Sequence, residues 1–237
     1  MLRARLILAV VGEKGSGKTK VVEELVRALK AKGLKVSTAK HVPEEGFSLD
    51  RPGKDSWRHA EAGADAVTLV APREVSTIRR VRTGELGPDE ILTLASQGCD
   101  VLIMEGFSSI FGRDPRVLKI VVVKEPEKAV ELEASGALKP ILAFVGPGGL
   151  GEARPRAPYF GFEELGALAD KIADMLAGKE RRASLFLDGE EVPLNPFVRE
   201  LLRKLVLAFA SCLKGVELAG DEEVAVLIRR KGGEGKG

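Results

Sequence analysis

Residues 12–19, with the sequence GEKGSGKT, match the phosphate-binding pattern G-x-x-x-x-G-K-[ST] at every fixed position. The glycines allow a curled backbone whose N–H groups can point together at phosphate oxygens. In this pattern Lys18 reaches the β- and γ-phosphates of a nucleoside triphosphate, and the hydroxyl of Thr19 ligates Mg2+. The alternative is a glycine-rich turn that matches by chance. We predict that this segment binds a nucleoside triphosphate.

The elements on either side of the loop are those that the pattern requires. Residues 6–11, LILAVV, have the composition of a buried strand. After the loop, Val22, Leu25, Val26 and Leu29 recur at helical spacing. A helix that begins near Gly17 adds unsatisfied N–H groups and the positive end of its dipole to the anion site. The loop is therefore predicted to connect a strand to a helix.

A magnesium site also needs a carboxylate, normally at the end of a buried strand beside the loop. Glu105 follows the apolar segment 101–104, VLIM, and stands at its carboxyl end. Ligands of open α/β sheets bind outside the carboxyl ends of the strands, which favours a metal or water role for Glu105 over an ordinary exposed glutamate. Asp100 begins the same strand at the opposite edge, and we interpret it as structural.

Residues 40–60 form a polar stretch, interrupted by proline and glycine, that is too long for an ordinary connection. Lys40 and His41 leave the carboxyl end of a predicted strand, on the same rim as the phosphate loop. Such loops are often functional, although a solvated loop is the alternative. We predict that His41 contacts a phosphate or an organic ligand, and that His59, at helical spacing beside Trp57, is structural.

The remaining pattern predicts an α/β fold. Strands are expected at 34–39, 66–70, 75–81, 101–104, 117–123 and 141–145, and helices at 88–96 and 162–176. Alternation of this kind predicts a P-loop NTPase three-layer sandwich with a mostly parallel sheet. After a boundary near 178–182, a hairpin, a helix at 197–213 and a strand at 223–228 indicate a small ββαβ unit. The predicted domains are 1–180, which binds nucleotide, and 181–237, a small α+β C-terminal domain. We expect the helix of the second domain to bury its apolar face in the core of that domain. The alternative is that this face contacts a second copy or a partner protein.

Composition excludes several classes of function. The 237 residues are 44% hydrophobic with a formal net charge of +2, which gives no indication of nucleic-acid binding. Cys99 and Cys212 lack metal-ligand spacing and fit a reducing cytoplasm. No apolar run approaches the length of a membrane span. The first apolar stretch leads directly into the phosphate loop, and cleavage there would destroy the site, so no targeting segment is expected. Asn195 and Gln97 are the only amides, which suggests a thermophilic source.

Longer segments resemble one known family. KHVPEEGFSLDRPGKDSWRHAEAGADAVTLVAP, together with GEKGSGKT and DVLIMEGF, is similar to the MobB family of molybdopterin-guanine dinucleotide biosynthesis proteins. The run D-x-x-G-K-D-S followed by H-x-E-A-G-A-D is far more specific than the phosphate loop. The resemblance covers about residues 6–176, and the segment after Arg182 lies outside the minimal family pattern.

The resemblance implies a GTP-binding adapter with weak hydrolysis. It would use Mg2+ and assist a MobA-like guanylyltransferase that converts molybdopterin to molybdopterin guanine dinucleotide, with molybdopterin as a further candidate ligand. Lys18 would stabilise phosphate charge and Asp50 would sense or activate the γ-phosphate side. Thr19, Asp50 and Glu105 would form the metal shell. The residues that would line the nucleotide site are Gly12, Glu13, Lys14, Gly15, Ser16, Gly17, Lys18, Thr19, Lys20, His41, Lys54 and Asp55.

Other functions stay open at this point. The guanine-reading N-K-x-D motif of many GTPases is absent, and Lys124-Glu125 is a poor substitute, so GTP over ATP rests on resemblance alone. A small-molecule kinase would use Arg79, Arg80 and Arg82 as lid arginines. A pure interaction module would bind nucleotide only to stabilise a dimer. We expect a cytoplasmic homodimer that contacts neither nucleic acid nor membrane.

Overall fold

The computed structural model describes residues 4–148, 153–176, 185–187, 190–192 and 196–213. In chain order its strands are β1 Leu6–Gly12, β2 Val36–Lys40, β3 Ala66–Ala71, β4 Glu74–Arg79, β5 Val101–Glu105, β6 Leu118–Val122, β7 Ile141–Gly146, β8 Tyr159–Gly161, β9 Leu185–Leu187 and β10 Glu190–Val192. Its helices are α1 Lys18–Ala31, α2 Asp55–Glu61, α3 Pro88–Ala95, α4 Ser108–Phe111, α5 Glu127–Ser135, α6 Leu165–Leu176 and α7 Pro196–Ser211.

Six parallel strands form the central sheet, in the order β2-β5-β1-β6-β7-β8. Parallel neighbours need crossover connections, and helices supply most of them. On one face, α1 and α6 pack against alternate strand residues such as Leu8 and Ile103. On the other face, α3, α4 and α5 cover residues such as Leu102 and Phe144. The predicted three-layer α/β architecture is confirmed.

Two predicted strands lie outside this sheet. β3 and β4 pair with each other in an antiparallel hairpin, in register from Ala66 opposite Arg79 to Ala71 opposite Glu74. Most of their side chains are exposed, in contrast to the fully buried interiors of β1 and β5. The sequence pattern predicts both strands but not this pairing, because the connecting residues Pro72 and Arg73 lack the Asn-Gly or Asp-Gly signal of a two-residue hairpin.

The predicted loop at 40–60 is shorter in the structure, because α2 takes up its last part. Asp55 stands in the first turn of α2, where a negative charge faces the positive end of the helix dipole. The helices α4 and α5 were not predicted. Gly136 caps the carboxyl end of α5 in the left-handed conformation, with φ 63°.

The C-terminal part contains the predicted hairpin and helix. β9 and β10 are antiparallel, and α7 follows them. Leu205 and Phe209 of α7 are 59% and 66% exposed. The predicted core of this unit also includes the strand at 223–228, so the burial of the apolar face of α7 stays a prediction. The predicted boundary at 178–182 and the last strand at 223–228 lie outside the described residues, so the division into two domains stays a prediction.

Candidate functional site

The phosphate loop joins the carboxyl end of β1 to the first residue of α1, as its sequence predicts. Gly15 and Gly17 adopt positive φ angles of 75° and 96°, which side chains rarely tolerate. Gly17 is the N-cap of α1, and no side chain caps the helix at this position. The free N–H groups of the first turn therefore remain available to an anion.

Glycine at position 12 is required by a close approach of two strands. A Cβ atom on Gly12 would lie 2.3 Å from the carbonyl oxygen of Val122 and 2.9 Å from Oγ of Ser16. Gly12 pairs with Val122 in the parallel ladder between β1 and β6. The loop can therefore leave the sheet at this point only without a side chain.

The ammonium group of Lys18 lies across the loop. Its Nζ donates hydrogen bonds to the carbonyl oxygens of Gly12 at 2.9 Å and Glu13 at 2.6 Å. Both acceptors belong to the first residues of the motif, so the positive charge stands over the curled backbone. A bound triphosphate would offer Lys18 stronger, charged acceptors in place of these neutral carbonyls.

Glu105 and Thr19 meet beside the loop. The hydroxyl Oγ1 of Thr19 donates to Oε1 of Glu105 at 2.9 Å, and Nζ of Lys40 lies 3.2 Å from the same oxygen. The register of the sheet explains this meeting, since Glu105 stands opposite both Val10 of β1 and Lys40 of β2. The Glu105 side chain is only 13% exposed, so these contacts hold it in a fixed position.

A cleft of about 400 Å³ lies at this point. The residues that line it are Lys14, Gly15, Gly17, Lys18, Thr19 and Glu105. Ser16, within the same loop, carries a buried hydroxyl with no hydrogen-bond partner in the part of the chain that the structure describes. A buried polar group without a partner is costly, which is common at sites built to receive a ligand. The cleft, its two lysines and its one carboxylate suit a phosphate chain with a divalent cation.

His41 is held against the aromatic residue that follows the β5 strand. The backbone N–H of His41 donates to the carbonyl oxygen of Glu105 at 3.0 Å, and the centroid of the His41 ring lies 5.3 Å from that of Phe107. Phe107 has a left-handed backbone with φ 64°, a conformation that costs a non-glycine residue on the order of 1–3 kcal/mol. His41 therefore lies next to Glu105 along the rim, but it does not line the cleft.

The structure shows local contacts for the predicted residues of the long loop. Oδ1 of Asp50 accepts hydrogen bonds from Oγ of Ser56 at 2.8 Å and from the N–H of Arg51 at 2.9 Å. Lys54 is the N-cap of α2, and Asp55 lies 3.7 Å from the guanidinium of Arg58. None of the predicted loop residues Asp50, Lys54 and Asp55 lines the cleft. Their metal or pocket roles stay predictions.

The sequence pattern does not predict the contacts that Lys40 and Phe162 make at the site. The pattern marks Lys40 only as the end of β2, and its ion pair with Glu105 depends on the order of the strands. Phe162 follows β8, and its ring lies 3.2 Å from where a Cβ on Gly17 would stand. Nζ of Lys20 lies 5.5 Å from the centroid of the same ring, within reach of a cation–π contact. Nothing local in the sequence connects residue 162 to residue 17.

A buried lysine with a perturbed pKa lies away from the site. Lys119 is fully buried near the amino end of β6, the opposite edge of the sheet from the phosphate loop. Its ammonium donates to the carbonyl oxygens of Asp114 and Lys139. Burial lowers the pKa of Lys119 to about 8, although the charge of Asp114 opposes the shift. Burial also raises the pKa of Asp114, but the hydrogen bonds and charge of Arg116, together with the charge of Lys119, leave that pKa lowered. This cluster is structural.

A complete protein cage for a metal is absent from the described ranges, where no three His, Cys, Asp or Glu side chains come together. Mg2+ does not require one, because it usually binds through one or two protein ligands, substrate phosphates and water. No helix in those ranges is long and apolar enough to cross a membrane.

Comparison with known proteins gives one consistent family. The profile of "Molybdopterin guanine dinucleotide synthesis protein B" matches residues 7–146. The molybdopterin-guanine dinucleotide biosynthesis adapter protein of Haemophilus influenzae is 34% identical over 43% of this chain and 56% of its own length. The Escherichia coli adapter protein is 31% identical over 50% of this chain and 66% of its own length. The chain thus spans between about half and two thirds of these relatives.

Solved structures agree on the fold. A crystal structure of molybdopterin-guanine biosynthesis protein B superposes with a TM-score of 0.54 at 30% identity, covering 73% of this chain and 99% of that one. The structure of Bacillus subtilis MobB has a TM-score of 0.53 at 25% identity, with the same coverage.

Proposed function

The chain belongs to the molybdopterin guanine dinucleotide synthesis protein B (MobB) family, and from this premise we propose that it is a GTP-binding adapter in the synthesis of that dinucleotide. The contact between Thr19 and Glu105 carries the proposal, because it sets a hydroxyl and a carboxylate together at the start of the phosphate-loop helix. The names of the relatives describe adapter proteins of this pathway.

The cleft suits the phosphates of the nucleotide. The N–H groups at the start of α1 and the ammonium of Lys18 provide donors on one side. Thr19 and Glu105 would hold Mg2+ on the other, directly or through water. Mg2+ would compete with Lys40 for the Glu105 carboxylate. Asp50 is the further candidate for the metal shell and for the γ-phosphate side, and the loop between β2 and α2 would have to bring it there.

Slow hydrolysis follows from the composition of the cleft. The described residues that line it include two lysines and no arginine. An arginine on the transferred phosphate is a major source of rate in phosphoryl transfer. A protein that holds GTP without hydrolysing it rapidly suits the role of presenting nucleotide beside a partner's chemistry. The proposed partner is a MobA-like guanylyltransferase, and the proposed assembly is a homodimer in the cytoplasm.

The contacts of Arg79 and Arg80, two of the three proposed lid arginines, disfavour the alternative, a small-molecule kinase. Arg80 pairs with Glu61 and lies 4.1 Å from the ring centroid of Trp57. Arg79 lies 3.8 Å from Glu90. These guanidinium groups are engaged near the β3–β4 hairpin and do not line the cleft.

Calorimetric titration of GTP and ATP, with and without Mg2+, tests the nucleotide proposal. We expect Mg2+-dependent binding of GTP, weakened at least about tenfold in Lys18→Ala, because that variant removes the cation over the loop. Lys30→Ala changes an exposed lysine in the last turn of the same helix and should bind as the wild type does. Preference for ATP would contradict the proposal.

A second experiment tests the adapter role. Addition of the protein to a guanylyltransferase reaction should raise the yield of the dinucleotide cofactor, and Lys18→Ala should not. Rapid phosphorylation of a small acceptor without any protein partner would instead support a kinase. Full activity of Lys18→Ala in the coupled reaction would indicate an interaction module whose phosphate contacts do not drive the function.

A further inference from the structure

The rim that carries the phosphate loop continues past β6 to β7 and β8. These strands are parallel to β1, so their carboxyl ends lie on the same edge of the sheet. Pro147 and Gly148 follow β7, and the turn after β8 contains Phe162 and Glu163. A nucleotide whose phosphates lie on the loop could extend its base along this edge, which is where open α/β sheets bind ligands.

Phe162 connects the phosphate loop to the turn after β8. Its ring packs on Gly17, where a Cβ would come within 3.2 Å, and Lys20 stands over it at 5.5 Å. The ring is half-buried, so part of it remains open to solvent. An aromatic face beside the first turn of α1 is a suitable surface for a nucleobase, since bases pack on aromatic rings.

The carboxylate of Glu163 lies over two glycines at the ends of the neighbouring strands. A Cβ on Gly161 would stand 2.2 Å from Oε1 of Glu163, and a Cβ on Gly148 would stand 2.9 Å from it. Any side chain at either glycine would displace the carboxylate. Glycines at both positions therefore keep the space for a charged group between the two turns.

Glu163 and its neighbour Glu164 have different contacts. Oε2 of Glu164 accepts the N–H of Gly161 at 2.7 Å and so closes the turn. Glu163 is exposed, and its carboxylate forms no hydrogen bond or ion pair among the described residues, although burial and the nearby charges of Glu127 and Glu163 raise the pKa of Tyr159. Its acceptors are available to a ligand, and it directly follows Phe162 in the turn after β8.

A free carboxylate distinguishes guanine from adenine. An ionised carboxylate only accepts hydrogen bonds, through two oxygens. Guanine presents two donors side by side, its N1–H and its 2-amino group, whereas adenine presents the acceptor N1 at the corresponding edge. A carboxylate beside the base would bind guanine through both donors and repel adenine. The sequence lacks the N-K-x-D motif that supplies such a group in many GTPases, and Lys124 lies 3.9 Å from Glu13.

We propose that Glu163 reads the guanine base, accepting hydrogen bonds from N1–H and the 2-amino group while the base packs beside Phe162. This inference rests on the proposed function, because it needs a nucleotide whose phosphates occupy the loop. It assigns base specificity to the turn between β8 and α6. It also explains how the chain selects GTP without the usual motif.

The variant Glu163→Gln tests the proposal through a reversal of specificity. Xanthine carries a carbonyl oxygen where guanine carries the 2-amino group, so a glutamine amide can accept from N1–H and donate to this oxygen. Calorimetric titrations would use the Mg2+ complexes of GTP, XTP and ATP on the full chain. We expect the wild type to prefer GTP over XTP and ATP. In Glu163→Gln, GTP binding should weaken and XTP binding should strengthen, each by about tenfold.

Glu164→Gln is the matched control. It makes the same change of charge one residue further along and keeps an amide oxygen for the N–H of Gly161. It should retain the wild-type order of affinities. A switch toward XTP in Glu164→Gln rather than in Glu163→Gln would overturn the assignment.

Failure of the inference differs from failure of the proposed function. Equal binding of GTP and ATP by the wild type, or an unchanged ratio of GTP to XTP affinity in Glu163→Gln, would overturn base reading by Glu163 and leave phosphate binding intact. If the folded wild type bound none of the three triphosphates, the proposed function would fail and this inference with it. Circular dichroism of each variant establishes that it is folded.

Discussion

Thr19 donates its hydroxyl hydrogen to Glu105, at 2.9 Å, across 86 positions of sequence. The two residues reach each other because β1 and β5 are adjacent and parallel, so that the loop after one strand faces the last residue of the other. Lys40 reaches the same carboxylate from β2, on the far side of β5. Thr19 and Glu105 are the structural basis of the proposed Mg2+ site, and Lys40 would compete with the cation for the carboxylate.

Glu105→Gln should reduce the effect of Mg2+ on GTP binding by at least about tenfold, because the amide has no charge for a divalent cation. The amide oxygen can still accept from Thr19, so the fold should persist. Asp100→Asn is the control at the other end of the same strand, and its amide oxygen can still accept from the N–H of Lys35. Titration of GTP at several Mg2+ concentrations provides the measurement. An unchanged Mg2+ dependence in Glu105→Gln would exclude this carboxylate from the metal site.

Gly12→Ala should destabilise the protein by about 3 kcal/mol or more. The new methyl group would lie 2.3 Å from the carbonyl oxygen of Val122, in backbone that belongs to the central sheet. Gly15→Ala is the matched variant in the same loop, and no atom lies within 4 Å of its new methyl group. It should lower the free energy of unfolding by only about 1 kcal/mol, because of the positive φ at this position. Urea denaturation of both variants measures the difference. Equal losses of stability in the two variants would show that the close approach of Val122 is not what requires glycine at position 12.

Asp50→Asn separates a metal role of Asp50 from a structural one. The asparagine keeps an oxygen to accept from Ser56 and Arg51 but removes the charge. If Asp50 acts on the γ-phosphate side, the rate of GTP hydrolysis should fall about tenfold while the melting temperature changes little. Ser56→Ala removes the hydrogen bond and retains the charge, so it should lower stability instead. An unchanged hydrolysis rate in Asp50→Asn would limit this residue to its contacts within the loop.

Lys119 should make stability depend on alkaline pH. Its pKa is about 8 in the folded protein, whereas an ordinary exposed lysine has a pKa of 10.5, so between these values the unfolded chain binds more protons than the folded one. The free energy of unfolding therefore rises with pH in this window, by roughly 1–3 kcal/mol relative to Lys119→Met. Denaturation at about pH 8, 9 and 10.5 checks the sign. Lys171→Met, at an exposed position of α6, controls for the loss of one lysine. If the difference in free energy of unfolding between the wild type and Lys119→Met did not change across this pH range, the lowered pKa of Lys119 would be contradicted.

The sequence by itself determined the phosphate loop, the strand before it and the helix after it, because all three are adjacent in the chain and have strong local patterns. It also indicated the family, through the specific run at 40–72. Glu105 could be predicted because a charged residue directly after a buried apolar strand marks the functional edge of a parallel sheet.

Only the tertiary structure decided which residues meet. The order of the strands brings Lys40 to Glu105, and the ring of Phe162 to Gly17, across long separations in sequence. The position of Glu163 beside Gly148 could not be predicted from the sequence either, because a local pattern specifies an element and not its neighbours in space. Contacts between distant residues depend on how the whole chain packs, and the base-reading role proposed for Glu163 depends on such contacts.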